Sequence, residues 1–216
     1  MEYCQEVASE PTATSFALLG LLGIQPWTAY ELVAQTRRSL HHFWPRSEAH
    51  IYAELKRIVE RGHARADVEE GQRRRNRTRY SITPEGRVAL EDWLRTEPTP
   101  PALEVEGLLR MLLGDQGSIE DLRAAIEATG RQARELRDGS LQILDELLAT
   151  GGPFPQRLHL TERVASFYGE FLRLLIEWSD ETLAEVETWP TTVDIGLTPE
   201  ARARLEQLRT RARQIP

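Results

Sequence analysis

Five arginines, Arg73, Arg74, Arg75, Arg77 and Arg79, fall within seven consecutive positions about a third of the way along a 216-residue chain. Guanidinium groups at that density repel one another unless an anion approaches, and each presents a planar fork of N–H donors that matches a phosphate. Just upstream, Ser47 can cap a helix in which Ile51, Leu55, Ile58 and Val59 fall at i, i+4, i+7 and i+8, so one stripe of a helix ending near Gly62 is apolar. The opposite side is centred on Ala49, Ala53 and Glu60, with Lys56 on one flank and His50 and Arg57 on the other. Small residues in the middle of a solvent-facing side let the helix backbone come close to a wall of groove or protein. The chemistry that suits this pattern is non-covalent engagement of a polyanion.

The elements that must position these residues can be read on either side of them. After Gly62, Ala64, Ala66 and Val68 alternate with Arg65, Asp67 and Glu69, and Thr78 to Ile82 alternates in the same way, which predicts two half-buried strands. Glu70-Gly71-Gln72 supplies turn chemistry, placing the arginines at and beyond a hairpin tip. A charge run by itself is most often a solvated face. The order helix, strand, basic tip, strand points further, because a hairpin tip reaches the phosphates beside a groove that the helix occupies. Upstream, Thr12 to Gly23 is almost wholly apolar and predicts a central helix; Pro26 breaks it, and Thr28 can cap a second helix from Ala29 to about Arg38 with Leu32 and Val33 turned inward. Phe43 and Trp44 are expected to anchor the reading helix. Thr83-Pro84 starts a fourth helix, to about Thr96, expected to bury Val88, Leu90, Trp93 and Leu94.

Composition narrows the classes. With 40% hydrophobic and 28% charged residues the chain reads as globular, and no apolar run approaches a bilayer span. Met1 to Pro11 does not read as a signal peptide, so a cytoplasmic, nucleoid-associated protein is expected. Net charge is −7, but residues 1–97 carry 14 basic and 14 acidic groups whereas 98–216 carry 13 and 20, and within 37–97 the balance is 14 basic to 10 acidic. The positive field is local to the helix and hairpin. Cys4 is the only cysteine, so an intrachain disulfide and a cysteine-based zinc site are excluded; His41 and His42 lack a third ligand at a recognisable spacing, and no metal or cofactor is expected. With no phosphate-cradling glycine loop and no nucleophile, base and orienter, enzyme chemistry is not expected.

Pro98, Pro100 and Pro101 mark a domain boundary. Beyond it, Leu103 to Leu113 predicts a short helix ended by Gly114. A long helix capped by Ser118, with Asp121 as capping-box acid, carries an apolar seam through Ile119, Leu122, Ile126, Thr129, Ala133, Leu136, Ser140, Ile143 and Leu147, ended by Gly151-Gly152-Pro153. A second, from about Pro155 to Trp189, carries Leu160, Val164, Phe167, Phe171, Leu174 and Trp178. One such hairpin leaves apolar stripes that a second copy of the chain is expected to cover. Thr191 to Gly196 reads as a linker, and Thr198-Pro199-Glu200 starts a last Arg-rich helix. The domains expected are therefore 12–97, 103–190 and a tail over 191–216.

Several segments together resemble the PadR family of bacterial transcriptional regulators: Ala17 to Leu22, Tyr30-Glu31-Leu32, Phe43-Trp44-Pro45, Ile51 to Arg57, Tyr80 to Arg87 and Trp93-Leu94. The resemblance covers roughly residues 14–97 in the right order, and 103–190 is similar in pattern to the helical C-terminal domain of longer members. It implies a mainly α fold with a small β-wing, in which an N-terminal winged helix-turn-helix precedes a long-helix dimerisation domain. It also implies a homodimer, and repression relieved by a small hydrophobic or aromatic effector. Ala29 stands where Gly is common and Ala53 where Pro is common in the family, departures from which a different entry angle of the reading helix is expected.

On this reading the dimer sets two helices into successive major grooves of a pseudo-palindromic operator in double-stranded DNA. Ser47 and Tyr52 are expected on phosphates, His50 and Lys56 toward base edges, and Tyr30 with Arg73, Arg74, Arg75, Arg77 and Arg79 on the backbone. Phe167, Tyr168, Phe171 and Trp178 are the candidate effector-binding residues. The competing function is a winged-helix adaptor that presents the same helix to an acidic protein surface without specific DNA binding.

Overall fold

In the computed structural model residues 10–69 and 77–214 are described, and the chain divides into two compact units, Met1–Pro101 and Ala102–Pro216. The first unit is built on α1 (Ala13–Ile24), whose Leu18, Leu19, Leu21 and Leu22 are all buried. A helix apolar on nearly every side belongs at the centre of a small domain. Thr12 caps it in a reciprocal box with Ser15. Gln25 is extended, as a residue preceding proline must be. Trp27–Thr28 then forms a two-residue strand, β1, that the sequence did not announce, because two residues show no alternation. Its indole Nε1 donates to the Leu21 carbonyl at 2.9 Å, locking the strand to the end of α1.

Thr28 also caps α2 (Ala29–Ser39) in a box with Glu31, and Leu32 and Val33 face inward as the spacing predicts. Ser47 caps α3 (Glu48–Glu60), which buries Ile51, Leu55 and Ile58. Gly62, at φ +74°, supplies the left-handed residue that turns the chain out of the helix. Two strands follow, β2 (Ala64–Glu69) and β3 (Arg77–Ile82), antiparallel in a sheet of order β1-β3-β2, with Ala64 opposite Ile82 at the base and Glu69 opposite Arg77 toward the tip. The expected half-burial of β2 does not hold. Only Ala64 is buried, and Ala66 and Val68 are exposed, because this edge strand leaves the core after its first residue.

The fourth helix, α4 (Pro84–Arg95), is capped by Thr83, whose Oγ1 donates to the Gly62 carbonyl at 2.7 Å and whose N–H donates to the His63 carbonyl at 3.0 Å. Of the residues expected to be buried along it, Val88, Trp93 and Leu94 are exposed and Leu90 is half-buried. The helix packs mainly on α1, where Trp93 stacks on Phe16 with ring centroids 5.0 Å apart. Its outer stripe has no cover within the unit. Trp44 anchors the segment before α3 through an Nε1 bond to Thr14 Oγ1 at 3.1 Å, whereas Phe43, expected to share that role, is 45% exposed.

The second unit opens with α5 (Glu106–Leu112), shorter than expected, and a 3-10 turn over Gly114–Gln116. Ser118 caps α6 (Ile119–Thr150), with Asp121 completing the box and Gly151 ending the helix at φ +74°. An antiparallel partner, α7 (Leu158–Val186), packs along it. Leu122 and Ile126 meet Val186, and Ala133 meets Tyr168 and Leu172. At Gly130 the helices come so close that a Cβ would lie 2.9 Å from that of Ser179. Two expectations change here. The α6 seam is buried only as far as Ala133, leaving Leu136 exposed and Ile143 and Leu147 half-buried. On α7 the seam facing α6 is Tyr168, Leu172, Leu175, Ser179, Leu183 and Val186, whereas Leu160, Val164, Phe167 and Leu174 are exposed. The last helix, α8 (Pro199–Ala212), is tied to α7 by an ion pair between Arg204 and Glu185 at 2.6 Å.

Candidate nucleic-acid interface

The site begins with the N-terminus of α3. Ser47 Oγ accepts the His50 N–H at 3.2 Å, so its lone pair serves the helix while its hydroxyl proton stays available to an outside acceptor. One apolar stripe holds α3 against α1 and α2, and the reverse side puts Ala49, Ala53, Lys56 and Tyr52 in solvent, with His50 half-buried at one flank. Lys56 pairs with Glu60 at 3.5 Å, a solvated i,i+4 contact that an incoming phosphate can displace at little cost. Arg37 at the end of α2 reaches Glu48 at 3.1 Å and ties the two helices together on the outside.

At the sheet, the pairing of Thr28 with Arg79 brings the first turn of α2 beside the base of the wing. Tyr30, in that turn, is 78% exposed. Arg79 donates to Glu69 Oε2 at 3.0 Å and to the Pro26 carbonyl at 3.3 Å, so it braces the sheet as well as carrying charge. Glu31 registers the local field. Its carboxyl is held below the usual range, first by the Thr28 backbone N–H, then by the Thr28 hydroxyl and the charges of Arg79 and Arg77, against the opposing effect of burial. Arg77, Arg79 and the first turn of α2 thus lie within electrostatic reach of one another. Arg73, Arg74 and Arg75 lie outside the described residues.

The sequence reading missed Glu54. It is the one charged side chain that is buried among the described residues, at 1% exposure, in the same stripe as Ile51, Leu55 and Ile58. Its Oε2 accepts from Ser15 Oγ and, at 3.1 Å, from Thr12 Oγ1, and its Oε1 accepts from Arg57. Burial pushes this carboxyl up, but the bonds from Ser15, Arg57 and Thr12 outweigh it and hold the group below the ordinary glutamate value. The available signal was a carboxylate standing inside an apolar stripe; apart from Arg57, three positions on, its partners lie 39 and 42 positions away and leave no local pattern. Arg46, seated over the Trp44 ring at 4.7 Å, is a further cation just ahead of α3.

In the second unit the four candidate effector residues do not share one environment. Phe167 is 74% exposed; Tyr168, one position on, is 8% exposed in the seam with α6. Phe171 and Trp178 are half-buried, and the Tyr168 and Phe171 rings lie 6.3 Å apart and tilted. Among the described residues no group of histidine, cysteine or carboxylate side chains is arranged to hold a metal, and no helix is long and apolar enough to cross a membrane.

Comparison with known proteins agrees with this geometry. Residues 18–92 match the transcriptional regulator PadR-like family. A 96-residue stretch, 44% of the chain, is 28% identical to the negative transcriptional regulator PadR of Bacillus subtilis and spans 53% of that protein's length, about half. Among solved structures, that of Bacillus subtilis PadR in complex with operator DNA superposes with a TM-score of 0.67 at 20% identity, over 81% of this chain and 99% of the other. The same protein in complex with p-coumaric acid gives 0.62 at 20% identity, over 82% and 99%. At that identity the superpositions establish the fold: a winged helix followed by long C-terminal helices.

Proposed function

We propose, for a chain that residues 18–92 identify as a PadR-like transcriptional regulator and not an enzyme, that it works as a homodimeric repressor, binding a pseudo-palindromic operator and released by a small hydrophobic or aromatic effector. The observation that carries this reading is the α3 surface. A capped helix presents Ala49 and Ala53 between Lys56 and His50, while Tyr30 is exposed two residues after the Thr28 that pairs with Arg79 of β3. The small residues admit the helix to a major groove, Lys56 and His50 reach base edges, and Ser47, Tyr52, Tyr30, Arg77 and Arg79 with Arg73, Arg74 and Arg75 take phosphates on either side.

Dimerisation is supported by the uncovered face of α7. Leu160, Val164, Phe167, Phe171, Leu174 and Trp178 alternate spacings of four and three, the repeat of a helix–helix seam, and four of them are exposed. Exposed Leu141, Leu144 and Leu148 on α6 add to it. A second copy covering these stripes would give the assembly two reading helices, the number a two-fold operator requires. Phe167, Phe171 and Trp178 border the same face, with Tyr168 beneath it, which makes them the proposed effector contacts. An effector that binds one arrangement of the two copies better than another would change the separation of the reading helices.

Selection of bound sequences from a random duplex pool by the full chain tests this reading. The expected product is a two-fold motif with half-sites about one helical turn apart. Recovery of no enriched motif would contradict it.

A further inference from the structure

We propose that Glu54 is a positioning residue of the reading helix. Its buried carboxylate ties α3 to the first turn of α1 and fixes Arg57 on the flank that faces the duplex, so that discrimination between sequences depends on it more than overall affinity does. This rests on the reading that α3 enters the groove.

The carboxylate plugs into a helix terminus that is itself closed. Thr12 and Ser15 exchange bonds as the capping box of α1, each backbone N–H reaching the other's hydroxyl at 3.2 Å, and both hydroxyls then donate onward to Glu54 Oε2. The negative group thus sits at the positive end of the α1 dipole. Apolar packing of Ile51, Leu55 and Ile58 holds α3 down and sets its register through shape, but the hydrophobic effect itself is non-directional. Charge-assisted hydrogen bonds to three donors are directional and fix that register further.

The other oxygen accepts from Arg57, one turn along α3, whose side chain is 46% exposed. Arg57 and His50 lie at i+7 and i on the same flank. A guanidinium held by one of its N–H groups keeps the rest of its fork for an external oxygen, and its rotamer is chosen before the duplex arrives. An unanchored arginine would grip any phosphate within reach; one fixed relative to His50 favours the sequence whose groove brings its phosphate to that spot.

The test measures full-chain affinity for two duplexes, the motif recovered by selection and a scramble of equal length and composition, with thermal midpoints alongside. Glu54→Gln is expected to weaken binding to the selected duplex about tenfold, the equivalent of one lost charged hydrogen bond, while the scramble stays within about twofold. Arg57→Gln is expected to lower the same ratio and to reduce the salt slope by about one. If Glu54→Gln does not fold, the double variant Ser15→Ala/Arg57→Gln, which keeps the carboxylate but removes two of its donors, takes its place. An unchanged ratio in a folded variant overturns the proposal, as does an equal loss on both duplexes, which would give Glu54 a structural role alone. A wild-type chain that prefers neither duplex would instead contradict DNA reading itself.

Discussion

At Gly86 a Cβ would lie 2.0 Å from the His63 carbonyl oxygen, a backbone atom with no flexible end to swing away. This glycine lets the first turn of α4 press against the residues joining α3 to β2, so it helps set where the wing leaves the core. Gly86→Ala is expected to cost about 2–3 kcal/mol, seen as a lower urea midpoint at unchanged slope. Glu54 gives a second prediction through its titration. Its folded pKa is depressed, so its contribution to stability is present above the ordinary glutamate value and is lost as pH falls through the lower, folded one. Denaturant titrations from neutral pH downward should therefore show wild type losing its advantage over Glu54→Gln in that acid window. A difference that stays constant with pH would contradict the assignment.

Between helices, the crossing at Gly130 makes an opposite pair of predictions. Gly130→Ala forces a Cβ to 2.9 Å from Ser179 Cβ and is expected to destabilise by about 1 kcal/mol or more. Gly139→Ala on the same helix has no atom within 4 Å of its new Cβ and is expected to stabilise by about 0.5–1 kcal/mol, the ordinary gain in a helix interior. Caps and helix starts were legible from the chain alone: Thr28, Ser47, Thr83, Ser118 and Thr198 each accept the bond their position predicts, whereas Thr12, read as the first residue of its helix, is the cap. Capping is local, and local chemistry can be read along a sequence. Which apolar stripe of α7 meets α6 was not legible, since the helix carries two, and periodicity reveals a stripe without saying which neighbour covers it. For the same reason the exposure of Ala66 and Val68 was misread: alternation in a wing records two faces, not a core beneath one of them. Glu54 escaped because two of its three partners, Thr12 and Ser15, come from the start of another helix.

Taken whole, the chain concentrates basic residues within positions 37–97 of a first half of neutral balance and holds its excess acid in the second half, a distribution that would disfavour indiscriminate binding to a polyanion. If a second copy covers the outer seam of α7, Phe167→Asp with Leu174→Asp should shift sedimentation from dimer to monomer and leave the helical content intact. A variant that sediments as wild type would move the interface elsewhere. Monomers of this kind are expected to lose the tighter, two-site component of DNA binding and keep the single-site one. The central claim, that α3 and the wing engage a duplex together, is tested most directly by the salt dependence of affinity for the selected duplex, in wild type and in the Arg73→Ala/Arg74→Ala/Arg75→Ala variant. The wild-type logarithmic slope is expected to steepen by roughly 0.9 for each phosphate neutralised, and the variant should lose up to about three such steps per subunit. Identical slopes for the two proteins would contradict it.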